Sequence, residues 1–457
     1  MVILRYYQRL EIPKRVWQLQ IGAVLNAFGS GATLPYLMLY LNRERGFDVA
    51  VAGALTGMIA LTGFVSIPFA GPLIDRFGPR RMLIAALGLL VLSFLGFIVV
   101  RAPWHAAVCT VVAGLGTSWL WPSNALLMAS LLGPEKRHVA FAVERTAANI
   151  GAGVGAFLGG VLVALLGYTW LFVVDAASFA FYLTLVVRLA HLPTDHTSDV
   201  PAGADDKEHA VAKASTTTLS STGRPTDAEE PQSTGQGHGP SAHDRTVRPP
   251  TATLPGLLRE KALRRMILLK FVLVLAGFGP FEVLALFARD EVDVSTTLIG
   301  LIFLVNTAVI ISIQIPLTSL LPGRRRMLAL ALVAVVWAIT WAVVGFVGVT
   351  LTGVAAAVAL MGAAALFGVG EALQAPAQDP VFIELAPEAA HGRAMALSAM
   401  AFQGALGLGP VIGGWLLDRS PSAVWVAGSL LALVAGGLAL LWERSLPTAA
   451  RLTKSAD

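Results

Sequence analysis

Six ionisable side chains fall inside long apolar runs of this 457-residue chain: Glu144, Arg145, Asp175, Lys270, Glu282 and Glu371. A charged group near the centre of a membrane-spanning helix costs roughly 2.5 to 3.5 kcal/mol on insertion scales, so each one asks for a function. A carboxylate in a low-dielectric cavity can take up and release a proton. Glu371 lies deepest in its run and shares a helical face with Gln374 and Gln378, spaced i, i+3, i+7. Glu282 falls in the outer half of its run. These two are the proton-site candidates, in that order, with Asp175 third. For Asp175 a capping or packing role is an equal reading. Lys270, one turn from its helix end, is expected to extend its amine to the membrane surface. Glu144 and Arg145 lie near the cytoplasmic end of their run, and one of them is expected to pair with the loop around Asp75 as a gating contact.

Other chemistry is not indicated. The eight histidines form no HExxH or HxH ligand set, so no metal is expected. No Walker or Rossmann loop occurs, so no nucleotide cofactor and no enzyme chemistry are expected. Without a phosphate-binding loop, an ATP-driven pump is disfavoured and an ion gradient is the expected energy source.

The elements that must carry these residues follow from composition. Of the chain, 56% is hydrophobic and 13% charged, with mean hydropathy +0.71. Soluble domains carry about 25% charge. A disulfide scaffold is excluded by the lone Cys109. The apolar runs are continuous rather than alternating, which argues against a membrane β-barrel. A spanning helix needs about 20 apolar residues. Twelve such runs occur, near 16–41, 49–74, 81–100, 104–132, 139–166, 169–190, 266–289, 295–321, 326–348, 350–378, 392–417 and 422–442. The expected fold is an all-α polytopic membrane protein of twelve helices, embedded in a lipid bilayer. Residues 1–15 and the following run lack a convincing signal-peptide cleavage site.

Orientation follows from Lys and Arg. With the N-terminus inside, only Arg43, Arg45, Arg101, Arg289 and Arg419 fall outside. Arg76, Arg80, Arg81, Lys136, Arg137, Arg324, Arg325, Arg326 and Arg393 all fall in short inner loops. Both termini are therefore expected in the cytoplasm, in a plasma-membrane protein. The net charge of +5 reflects topology, since no single basic patch fit for nucleic acid occurs. Residues 191–260 are rich in Ser, Thr, Pro, Gly and Asp and read as a disordered cytoplasmic linker. The expected organisation is a six-helix bundle at 1–190, the linker, a second bundle at 261–445 and a tail at 446–457.

Polarity separates the helices. Helices 3, 9 and 12 carry only Ser93, Thr340 and Ser429 as polar side chains and read as lipid-facing or scaffold. Helix 1 carries Asn26, Ser30 and Thr33 on one face, with Tyr36 and Tyr40 beyond. A polar stripe in a membrane is resolved by a water-filled cavity or by hydrogen bonds between helices. For helix 10 the cavity is favoured; for helix 1 the two stand level. The cavity candidates are Asn26, Tyr36, Trp119, Asn149, Phe281, Gln374 and Gln403. Gly151, Gly155 and Gly159 recur every four residues, which lets a neighbouring helix approach closely. Gly407, Gly409, Gly413 and Gly414 do the same around Pro410.

The halves repeat. Gly116 and Pro122 match Gly370 and Pro376 at an offset of 254, and "NIGAGVGAFLGG" (149–160) matches "QGALGLGPVIGG" (403–414) at the same offset. Paired six-helix repeats build transporters with a midplane site between two rocking halves.

After helix 2 stands "GPLIDRFGPRR" (71–81). Asp75, with Arg76, Arg80 and Arg81 around it, can accept charge-assisted hydrogen bonds in one state and lose them in another, which makes a gate. The repeat copy has Ser319 in place of Asp75. The loop resembles the signature of the major facilitator superfamily, matching it at Gly71, Leu73, Asp75, Arg76, Gly78, Arg80 and Arg81, with Pro79 at the usual first basic position. "GPVIGG" (409–414) is similar to the family's helix-11 element. "GAFLGG" (155–160) is similar to its antiporter motif, with Ala156 for the usual Pro. "GEALQAP" (370–376) is similar to a pattern of drug-efflux members. Thr110 stands before Gly114 where drug/proton antiporters often carry Arg. The resemblance implies proton-coupled efflux of amphipathic small molecules by alternating access, with a monomer sufficient. The rivals are a proton-coupled importer or single-metabolite transporter, and a non-transporting receptor signalling through 191–260.

Overall fold

The computed structural model describes residues 13–132, 134–188, 254–387 and 390–452. Twelve long helices run through them. They are α1 (Lys14–Leu39), α2 (Val49–Phe77), α3 (Pro79–Ile98), α4 (Pro103–Ser130), α5 (Pro134–Leu166), α6 (Thr169–Arg188), α7 (Lys261–Asp290), α8 (Thr296–Ser319), α9 (Arg326–Thr350), α10 (Gly353–Glu384), α11 (His391–Arg419) and α12 (Ala423–Trp442). Ten of them are long and apolar enough to cross a membrane. The other two, α1 and α4, carry the polar residues Gln20, Asn26, Ser123 and Asn124. Of the expected linker, only 254–260 is described, and there Leu254–Leu257 form one helical turn. The remainder lies outside the described residues.

Local chemistry sets the breaks. Gly78 has φ +84°, a backbone that glycine adopts without penalty, and Pro79 starts the next helix with φ already fixed. Thus α2 ends and α3 begins across one residue. Ser295 caps α8, accepting from the Leu298 N–H. Outward apolar side chains such as Leu165, Val349 and Leu441 are about three-quarters exposed, a surface that belongs in lipid.

The packing repeats. In the first bundle α1 lies on α5 and α6, α3 on α4 and α6, and α2 on α4. In the second, α7 lies on α11 and α12, α9 on α10 and α12, and α8 on α10. Each contact of the first set recurs six helices later. The bundles join through α2 against α11 and α5 against α8, which are also equivalent under the repeat.

Both joints are main chain on main chain. A Cβ on Gly53 would strike the Pro410 carbonyl, and one on Gly57 the Gly407 carbonyl. Gly160 lies on the Thr296 carbonyl and Gly300 on that of Ala156. All these contacts sit at the end of the bundle opposite the chain termini. At the other end α2 and α8 turn apolar groups outward, with Val65, Phe69 and Ile315 each more than 60% exposed. The bundles therefore close at one end and part toward the end bearing the termini. The 151/155/159 glycines serve a different joint, packing on the α1 backbone at Val24, Phe28 and Ala32.

Candidate functional site

The polar residues of α4 and α5 line a cavity of about 430 Å³ between those helices, with Asn124, Glu144, Arg145 and Asn149 beside Trp121, Ala125, Phe141 and Ala148. Glu144 is buried and accepts from Asn124 Nδ2 at 2.5 Å, while Asn124 Oδ1 accepts from the Tyr182 hydroxyl at 2.7 Å. The Glu144 carboxylate is thus turned into the bundle by α4 and α6. It pairs with Asn124 rather than with the 71–81 loop. Arg145, one residue on and about 100° around the helix, is exposed and forms no hydrogen bond or salt bridge among the described residues.

Across the divide stands Glu371 on α10. The Asn306 side chain of α8 stands beside its carboxylate, and Arg145 is the cation of the first bundle that acts on it through space. Asn306 also donates to the Ala364 carbonyl at 3.3 Å, which fixes its amide. One wall of the space between the bundles therefore carries a guanidinium and the other a carboxylate. Glu282 on α7 is half-buried and has no hydrogen bond or ion pair among the described residues.

Beside Glu282 lies an aromatic cluster. The Phe281 and Phe367 rings stack at 4.4 Å, Phe303 meets Phe281 edge-on at 5.2 Å, and Phe278 meets Trp337, Phe367 and Phe402 at 5.5–5.8 Å. Phe278 and Phe281 stay half-buried. They offer an apolar, polarisable surface next to a carboxylate.

The other candidates fall in different places. Asp175 is fully buried between α6 and α1, with Ser178 Oγ 3.3 Å from Oδ1, Ser30 and Thr33 beside it, and Oδ2 unpartnered. Tyr36 is fully buried, donating to the Ala156 carbonyl at 2.8 Å and lying 3.4 Å from that of Thr296. It pins α1, α5 and α8 at the closed end. Asn26 is buried with Oδ1 unpartnered. Gln374 is buried and donates to Gln378 at 2.5 Å. Gln403 reaches across to Gly63 of α2, at the joint between bundles. Trp119 donates to Ser66 Oγ at 3.0 Å and lines a separate apolar groove of about 510 Å³ between α2 and α4, with Thr62, Val65 and Phe69. Gly409 and Gly413 lie on α7 at Gly279 and Val283.

In the 71–81 loop Asp75 is exposed, and Arg80 donates to the Val186 and Val187 carbonyls at the end of α6. The second bundle repeats that idea with carboxylates. Arg325 pairs with Glu443 after α12, and the buried Arg326 holds Glu384 of α10 by two bonds of 2.9 Å. Gly71 and Gly78 have open space around them.

Lys270 departs from expectation. Its amine does not reach the membrane surface but lies 2.6 Å from Asp379 Oδ1 and 2.7 Å from Ser398 Oγ, buried among α7, α10 and α11. Asp379 offers an anion one residue beyond the run assigned to helix 10, which is why sequence reasoning missed it. The repeat held a partial signal: at offset 254, Glu144 corresponds to Ser398, so both halves place a polar side chain at that position.

Twelve helices in two repeated bundles, closed at one end around a charged interior, define a polytopic membrane transporter fold. The sequence profile of the Major Facilitator Superfamily matches residues 19–362 and 323–456, and the chain belongs to that family, whose members are transporters and not enzymes. Relatives are distant. An uncharacterized MFS-type transporter YqjV of Bacillus subtilis is 25% identical over 31% of this chain and 35% of its own length. Multidrug resistance protein MdtG of Dickeya zeae is 27% identical over 39% and 45%. A Na(+), Li(+), K(+)/H(+) antiporter of Planococcus maritimus is 29% identical over 34% and 37%. The matches thus span less than half the length of these relatives. Among solved structures, a POT family transporter in complex with 5-aminolevulinic acid superposes with TM-score 0.72 at 13% identity, covering 95% of this chain and 96% of that one. A mutant of the nucleoside transporter NupG gives 0.67 at 13%, covering 95% and 100%. These two share the fold.

Proposed function

We propose that the protein exports amphipathic small molecules in exchange for protons, by rocking its two bundles between an inward-open and an outward-open state. The observation that carries this reading is Glu371. It is a carboxylate at the heart of the space between the bundles, facing a cation on the opposite wall, where the charge on either wall can be altered by a proton or a ligand. Glu282 is the second proton site. Both termini lie in the cytoplasm, so the conformation described opens inward. The working bodies are residues 1–190 and 261–445, tethered by 191–260, and a monomer suffices. Asp75 is exposed in this state, with no hydrogen bond or ion pair among the described residues, and locks the inner ends in the other. The distant kinship with MdtG and with the cation/proton antiporter supports export and proton exchange.

The experiment is ΔpH-driven flux in proteoliposomes with a panel of lipophilic anions, lipophilic cations and neutral drugs. Proton-coupled movement of several unrelated compounds is expected, and Glu371→Gln is expected to lose the coupling while still binding. Flux of no panel member by a folded, ligand-binding protein would move the assignment to a single-metabolite transporter.

A further inference from the structure

Arg145 stands out as a cation inside a membrane helix that Glu371 reaches only through space among the described residues. It is exposed to the cavity between α4 and α5, and no hydrogen bond or salt bridge reaches it among the described residues. The nearby carboxylates are engaged elsewhere. Glu144 is held by Asn124, which is held in turn by Tyr182. Glu371 stands beside Asn306 and acts on Arg145 only through space, with no salt bridge between them. The Lys270 cluster provides the contrast. There the protein buries a cation and supplies both an anion and a hydroxyl. At Arg145 it supplies neither. The cavity around the guanidinium is walled by Trp121, Ala125, Phe141 and Ala148, with the amides of Asn124 and Asn149 and the Glu144 carboxylate that Asn124 holds. A guanidinium presents its N–H donors in a planar fork that fits the two oxygens of a carboxylate or sulfonate. A concave apolar wall with a few placed polar groups is how small-molecule sites fix orientation.

We infer that Arg145 recognises an oxyanion on the transported compound, so that the substrate class is an amphipathic organic anion with an aromatic or aliphatic body. The inference rests on the transport reading above and narrows it. The Glu144–Asn124–Tyr182 chain is the positioning element, because it keeps the adjacent carboxylate from neutralising the guanidinium.

The test uses one ring system in three charge states: naphthalene-1-sulfonate, naphthalene-1-sulfonamide and trimethyl(1-naphthyl)ammonium. Binding to the purified full chain is titrated by quenching of intrinsic fluorescence. Counterflow is measured in phosphatidylcholine proteoliposomes, which hold no anionic lipid headgroup to compete. The sulfonate is expected to bind about tenfold more tightly than either partner, and more weakly at high salt. Arg145→Gln is expected to erase that preference while the protein stays monodisperse, and Arg145→Lys to keep part of it. Tighter binding of the ammonium or the sulfonamide overturns the inference. So does an equal loss for all three compounds in Arg145→Gln. If lipophilic cations move under ΔpH while the sulfonate neither binds nor moves, the anion assignment falls and the transport reading stands. If neither set moves, the transport reading falls with it.

Discussion

Arg43 Nε lies 2.8 Å from Asp290 Oδ1, an ion pair that ties the end of α1 to the end of α7 across the two bundles. The Asp290 carboxylate raises the affinity of the guanidinium for its proton above the ordinary range. A raised cation stabilises the paired state at every pH below its unfolded value, so Arg43 loses nothing across the working range. The Arg43 side chain is half exposed, and such pairs contribute about 0.2–1 kcal/mol. Arg43→Ala is therefore expected to shift the balance toward the opposite conformation by at most about fivefold, read from distances between spin labels at the two ends. Asp290→Ala should match it, and the double variant should add nothing further. High salt should mimic all three.

The joints between bundles are expected to be intolerant of a single methyl. Gly57→Ala sets a Cβ against the Gly407 carbonyl, where no side chain can yield. Overpacking of this kind costs about 1–3 kcal/mol. Flux is expected to fall at least about tenfold at constant expression. Gly88→Ala on α3 meets open space and should leave flux unchanged, with equal or higher thermal stability. Comparable losses in both variants would contradict the main-chain joint.

Lys270 and Asp379 should respond unequally. The lysine side chain is 8% exposed and the aspartate 37%. Asp379→Asn strands a buried ammonium, for which breaking a buried pair costs about 3–5 kcal/mol. Lys270→Met leaves a carboxylate that water can reach, at a smaller cost. The melting temperature in detergent should fall further for Asp379→Asn, and Lys270→Met added to it should restore most of the loss.

Asp175 and Glu371 should separate in flux assays. Asp175 is sealed between α6 and α1, whereas Glu371 faces Arg145 across the divide. Asp175→Asn keeps the shape and the Ser178 contact, so ΔpH-driven flux is expected to stay within about twofold of the parent. Glu371→Gln is expected to abolish the dependence on ΔpH. Loss of coupling in Asp175→Asn would move the proton site to α6.

The helices themselves were legible, because runs of twenty apolar residues leave little choice and their ends fall at glycine, proline and charge. The repeat was legible from a few glycines and prolines. What escaped was pairing. Nothing local in Lys270 tells whether its amine reaches water or Asp379, since the answer depends on two other helices. Tyr36 and Thr33 lie on a polar face of α1 as read, but α5 and α6 cover them, so both hydroxyls are spent on carbonyls of those helices. From sequence, Arg145 and Glu144 are equal candidates to pair with the Asp75 loop. A helix sends neighbouring residues in directions about 100° apart, so one enters the bundle and the other the cavity.

The seams between the bundles are built from backbone, with Gly53 on Pro410 and Gly160 on Thr296. The cavity residues Trp121, Phe141 and Asn149 are not among the groups that meet at those glycines. Substitutions at Trp121, Phe141 or Asn149 can therefore reshape what the protein accepts without disturbing how it opens and shuts. Selectivity and mechanics are free to drift apart over evolutionary time, and a new specificity can be acquired without rebuilding the machine.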